Sequence, residues 1–136
     1  MLRIDVSFIL LGVLCLMVGM TLGIGMGVAH DFQYAPVHAH LNLLGWASLA
    51  LFGLIYRAYP ALSGSWLAKL HLAFSGVGAL TFPAGLYIAI VHENPALAIG
   101  ASFAALGGVV VFFLNLLRVF FFSKAATQST SGEATA

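Results

Sequence analysis

Long stretches without a formal charge are the feature that most constrains this chain. No Asp, Glu, Lys or Arg occurs between Asp5 and Asp31, between Asp31 and Arg57, between Lys69 and Glu93, or between Glu93 and Arg118. Each stretch exceeds the roughly 20 apolar residues that a helix needs to cross a bilayer core of about 30 Å. The sequence therefore predicts four membrane-spanning helices, over residues 6–29, 37–56, 67–91 and 95–121.

The composition agrees with an integral membrane protein and excludes several other classes. Hydrophobic residues make up 62% of the 136 residues and charged residues only 7%, against about 45–50% and about 25% in soluble domains. So few charges cannot cover the surface of a soluble globule, and they leave no basic patch for nucleic acid. The single cysteine, Cys15, excludes a disulfide framework and a cysteine zinc site.

The short connections between the spans predict an all-α, up-and-down bundle of four helices. Four spans place every Lys and Arg at the same end of the bundle: Arg3, Arg57, Lys69, Arg118 and Lys124. The positive-inside rule then places both termini in the cytoplasm. Residues 1–124 are expected to form the transmembrane domain, and the polar residues 125–136 a disordered cytoplasmic tail.

Small residues recur at every fourth position of two spans, which is typical of membrane helices that approach each other closely. In the first span they are Cys15, Gly19, Gly23 and Gly27, and in the fourth they are Gly100, Ala104 and Gly108. The spacing predicts a packing ridge on each of these two helices.

The histidines are the candidates for chemistry, and four of the five fall at the end opposite the basic residues: His30, His38, His40 and His92. His38 and His40 are two residues apart, so on a helix their side chains point about 200° apart at nearly the same depth. They cannot bind one metal ion from the same chain, but each can serve a site on its own side of the helix. His71 lies about 20 Å deeper by helix rise and cannot share an iron with them.

The motif around this pair carries a resemblance. Residues 37–46, VHAHLNLLGW, continued by GLIYR at 53–57 and by Pro60, resemble the catalytic subunits of haem–copper oxidases and nitric-oxide reductases, especially small proteins similar to oxidase subunit I. In that superfamily, a His-x-His pair near the outer face binds two haems on opposite sides of its helix. The resemblance implies haem ligation by His38 and His40, and it makes Asn42 and Trp46 candidate cofactor contacts.

The same resemblance implies an assembly in a bacterial inner membrane. The large oxidase subunits have about twelve helices in three arcs of four, and this chain is similar to one arc. A homo-oligomer is expected, with a trimer favoured over a dimer, in which His38 of one copy and His40 of the next hold one haem b. The chain departs from the superfamily in lacking further histidines for a copper centre, so an oxygen-reducing centre of its own is not expected.

Three functions remain open from the sequence. The first is a haem b protein for electron transfer or for binding nitric oxide or oxygen, with a quinol, a cytochrome or a respiratory subunit as partner. The second is a copper-binding membrane protein, since Met26 and His30 are four residues apart on one helix face and His92 lies at the same depth. The third is a cofactor-free accessory subunit of a respiratory complex. Whether the chain is an enzyme stays undecided, and His71 has no assigned role.

Overall fold

Four helices are long and apolar enough to cross a membrane, as the charge spacing predicts. The computed structural model describes the backbone of residues 3–133 and the side chains of residues 3–121. The spans within this part are Ile4–Ala29, Ala35–Ala58, Trp66–His92 and Ala96–Phe121. The described residues contain helices and their connections and no strand. The fold is a four-helix bundle of a multi-pass membrane protein.

The first span is helix α1, Ile4–Ala29, and the third is helix α5, Trp66–His92. The second span is a continuous helix of three parts: α2 (Ala35–His40), a π-helical segment (Leu41–Ala47) and α3 (Ser48–Ala58). A short helix, α4 (Pro60–Ser63), connects it to α5.

The fourth span belongs to α6, Ala96–Glu133, whose backbone continues past the membrane-spanning part. The sequence predicts a disordered tail over residues 125–136. The side chains of this stretch, and residues 134–136 entirely, lie outside the described part of the chain. The tail therefore stays a prediction.

The ridge predicted on the first span packs against the second. A Cβ added to Gly19 would lie 2.7 Å from the Asn42 amide nitrogen, and one added to Gly45 would lie 2.5 Å from the Cys15 Cβ. These separations leave no room for any side chain larger than hydrogen at either glycine. The ridge lets α1 and the second span approach until backbone and side-chain atoms are in contact. Gly27, at the end of the ridge, takes no part in this contact, because a Cβ there would meet nothing within 4 Å.

The contact between α5 and α6 is equally close but uses other glycines than predicted. A Cβ at Gly78 would lie 2.8 Å from the Ala105 backbone, and one at Gly85 would lie 2.5 Å from the Ala98 nitrogen. On α6, Gly108 packs against Ser75, whereas a Cβ at Gly100 would meet nothing within 4 Å. The prediction of a ridge including Gly100 is wrong, because the face of α6 that meets α5 runs through Ala98, Ala105 and Gly108 and leaves Gly100 outside it.

Replacing Gly85 by alanine should destabilise the bundle by about 2–3 kcal/mol. The new methyl group would overlap backbone atoms of α6, which cannot rotate away as a side chain can, so the two helices must separate. Gly100→Ala adds the same methyl group to open space and should leave stability within about 0.5 kcal/mol of the wild type. Equilibrium unfolding in mixed micelles measures both, and equal stability of the two variants would contradict the close contact.

Candidate functional site

His38 lies in α2 with its ring turned toward α1. Its Nδ1 is 2.7 Å from the backbone oxygen of Gly19. A carbonyl oxygen can only accept a hydrogen bond, so Nδ1 carries the proton and donates it. The Nε2 atom then keeps its lone pair, which is the form of histidine that binds a metal. The ring is thus held by the first span in one tautomer and one orientation.

Gly23 leaves room for the His38 ring, and Asn42 holds the backbone beside it. A Cβ at Gly23 would lie 2.6 Å from the His38 Cε1, so only glycine admits the ring beside α1. Asn42 follows one turn later, and its amide donates to the His38 backbone oxygen at 2.8 Å. The same amide packs on Gly19. Asn42 therefore braces the backbone that carries His38.

His40 is held in the same manner on the other side of the second span. Its Nδ1 is 2.8 Å from the Pro36 backbone oxygen, so it too donates and leaves Nε2 with a lone pair. Its ring meets the ring of Phe82 on α5 edge to face, with centroids 4.8 Å apart. The expectation that the two histidines serve different sides of the helix is confirmed, since one contacts α1 and the other α5.

The Nε2 atoms of both histidines are accessible. Neither makes a hydrogen bond to another described residue. Both side chains are half-buried, and neither Nε2 is among the enclosed nitrogen atoms that lack a partner. Neither Nε2 is therefore fully enclosed by the described residues.

The second span is π-helical immediately after His40, from Leu41 to Ala47. Such segments are rare and occur often at functional sites, because they shift the side chains that follow relative to an α-helix. Here the Ser48 hydroxyl donates to the Leu43 oxygen at 2.9 Å, across the wider turn. Trp46 lies within the segment and packs against Gly12 of α1. This segment cannot be predicted from the sequence, since its residues also suit an α-helix.

The other residues at this end do not form a comparable cluster. His30 caps α1 in the left-handed region with φ 52° and is exposed, as is His92 at the end of α5. Met26 is buried, with 6% of its surface exposed. In the part of the chain that the structure describes, no group of three His, Cys, Asp or Glu side chains is arranged to hold a metal ion. The positions of Met26, His30 and His92 therefore do not add support for the copper alternative.

The chain matches no family model, no curated protein and no solved structure.

His71 is fully buried near the basic end, far from the His38–His40 pair. Its Nδ1 is 3.0 Å from the Tyr56 hydroxyl, as expected for a buried ring with a polar neighbour. Rings of Phe8, Phe52 and Phe112 surround it with centroids 4.5 to 4.9 Å away. Its Nε2 is enclosed and has no hydrogen-bond partner among the side chains and backbone that the structure describes. Because all its neighbours lie near the basic end, it cannot join the other histidines on one iron.

Asn115 connects the His71–Tyr56 pair to the loop at the basic end. It is not among the residues predicted from the sequence. Its amide donates to the Tyr56 hydroxyl at 3.4 Å and to the Leu62 backbone oxygen at 3.0 Å. Its oxygen accepts from Ser65 at 3.0 Å and from Arg118 at 3.2 Å. The signal was available, because a polar residue within an apolar span is costly unless it has a role.

Proposed function

We propose that this chain is a membrane haem b protein in which His38 and His40 are the iron ligands. The observation that carries the proposal is the matched state of the two rings. Each donates its Nδ1 proton to a backbone carbonyl and keeps a reachable Nε2 with a lone pair. Metal-binding histidines are typically oriented in this way by a partner of their second nitrogen. The donor set therefore fits a haem iron, which two neutral imidazoles can hold.

The remaining contacts of the site suit this role. The carbonyls of Gly19 and Pro36 fix the tautomer of each ring, and Asn42 braces the backbone between them. The Phe82 ring lies against His40, and an apolar surrounding tunes the potential of an iron bound there. When bound, haem b supplies reversible one-electron transfer and, if one ligand is displaced, a position for nitric oxide or oxygen. Trp46 remains a candidate contact of the cofactor within the π-helical segment.

A complete site requires a second copy of the chain. His38 contacts α1 and His40 contacts α5, so one chain presents them on different sides. His38 of one copy and His40 of the next would together hold the iron, and a closed ring would repeat this interface at every copy. A trimer is favoured over a dimer, because three four-helix arcs match the resemblance to the twelve-helix oxidase subunit.

The membrane and the partners follow from the same proposal. The basic end faces the cytoplasm of a bacterial inner membrane under the positive-inside rule, which places His38 and His40 near the outer face. Electron partners reach this depth from the membrane or from outside: a quinol, a cytochrome or another respiratory subunit. A copper protein and a cofactor-free accessory subunit are the alternatives.

The absorption spectrum of the full-length protein purified in mild detergent tests the proposal. We expect a sharp α-band after reduction with dithionite, lost in both His38→Ala and His40→Ala. His92→Ala removes an exposed histidine at the same end and should keep the band. A colourless protein from cells supplied with a haem precursor would overturn the proposal, as would a band that survives in both ligand variants.

A further inference from the structure

A cleft at the basic end lies away from the histidine pair. It has a volume of about 610 Å³ and opens between the start of α1, helix α4 and the start of α5. Its polar wall includes Arg3 and Lys69, and its rim includes Trp66, of which 69% is exposed. Exposed tryptophan rings are typical of the headgroup level of a bilayer. The cleft therefore combines two cations with a marker of the lipid–water interface.

The positive charge at this cleft is not balanced within the described residues. Asp5 is the only carboxylate paired there, 3.3 Å from Arg3 and 3.4 Å from Arg57, so one negative charge is shared by two guanidinium groups. No carboxylate among residues 3–121 lies within 4 Å of the Lys69 ammonium. An anion in the cleft would balance the surplus.

The start of α5 adds to this potential. Ser65 precedes the helix but donates its hydroxyl to Asn115 instead of accepting from the first turn. The first turn contains no acidic residue, and Lys69 follows directly. A lysine near a helix N-terminus is unfavourable next to the positive end of the helix dipole unless an anion is present. The site is defined by the cleft and by its two cations, Arg3 just before α1 and Lys69 in α5. The positive end of the α5 dipole adds to its attraction for an anion.

We propose that this cleft binds the phosphate headgroup of an anionic phospholipid of the inner leaflet. Arg3 and Lys69 would pair with the phosphate, since a guanidinium and an ammonium are the side chains that bind this group best. The ring of Trp66 would lie at the level of the glycerol, with the acyl chains along the apolar helix surfaces beyond it. This site is independent of the haem proposal, so either one can fail without the other.

Lipid binding to the full-length protein in detergent, followed by native mass spectrometry, tests the cleft. We expect one molecule of dioleoyl phosphatidylglycerol to bind each chain at least about tenfold more tightly than dioleoyl phosphatidylcholine. Arg3→Gln and Lys69→Gln should each weaken the binding of phosphatidylglycerol by about fivefold, the effect of one basic side chain at a membrane surface.

Arg118→Gln is the matched control, because it removes one positive charge from the same end without lining the cleft or pairing with Asp5. It should weaken binding by less than about twofold. An equal loss in all three variants would overturn the proposal, because the net charge of this end would then suffice. Binding of glycerol phosphate as tight as that of the lipid would overturn it as well, since the ligand would then be a free phosphate ester.

Discussion

Replacing Gly23 by alanine should lower the amount of haem bound per chain at least about tenfold, although Gly23 itself contacts no cofactor. The added Cβ would lie 2.6 Å from Cε1 and 2.9 Å from Nδ1 of His38. The ring can yield, because it is the end of a side chain, but yielding breaks its hydrogen bond to Gly19. Its Nε2 would then point elsewhere, and a loss of about 1.4 kcal/mol corresponds to tenfold in affinity. Haem content from the pyridine haemochrome spectrum, divided by protein concentration, measures the effect.

Gly27→Ala provides the matched control for this variant. Gly27 lies four residues further along the same ridge of α1, and a Cβ there would meet nothing within 4 Å. Helix propensity changes equally in the two variants, so a difference between them reports on the His38 ring alone. Full haem content in Gly23→Ala would show that the orientation set by Gly19 is not needed, and it would remove the main support for His38 as a ligand.

The spans could be predicted closely because a bilayer leaves few choices. In hydrocarbon every backbone polar group must be paired within the segment, so a charge-free stretch of sufficient length has to be a helix. The predicted first span, 6–29, compares with Ile4–Ala29, and the predicted third, 67–91, with Trp66–His92. Their ends are where charged and turn-forming residues return to the sequence.

Which face of each helix packs against its neighbours was harder to predict. A helix that is apolar all round has no polar stripe to show which side meets its neighbours. The ridge on α1 was recognised, because Gly19 and Gly23 recur at the spacing of one helix face. On α6 the same reasoning included Gly100, which has open space, because the face that meets Gly78 and Gly85 of α5 carries Ala98 and Ala105 instead.

Within the candidate site, the sequence predicts the two candidate ligands but not the groups that orient their rings. The spacing of His38 and His40 gave their opposite directions, and the structure agrees. The carbonyl partners of their Nδ1 atoms depend on where Gly19 and Pro36 fall in space, which no local pattern contains. The π-helical segment after His40 was also invisible, because its residues are compatible with an ordinary helix.

At the basic end, Asn115 should prove the most important polar residue for stability. We expect Asn115→Leu to lower the free energy of unfolding by about 2–4 kcal/mol. The change keeps the branched shape of the side chain but removes two donors and an acceptor. The buried Leu62 carbonyl loses this partner, and the Tyr56 hydroxyl keeps only His71. Each buried group without a partner costs about 1–3 kcal/mol. Reversible unfolding in mixed micelles, followed by circular dichroism, gives the value.

Leu116→Ala is the control on the same helix. Leu116 has 38% of its surface exposed, toward lipid, and lipid is about as apolar as leucine, so the truncation should cost less than about 1 kcal/mol. Tyr56→Phe separates the contributions further, because it keeps the ring beside His71 and removes only the hydroxyl that Asn115 and His71 share. If Asn115→Leu were as stable as the wild type, the hydrogen bonds around Asn115 would contribute nothing to the fold, and the apolar packing of Phe8, Phe52 and Phe112 would have to hold this end of the bundle.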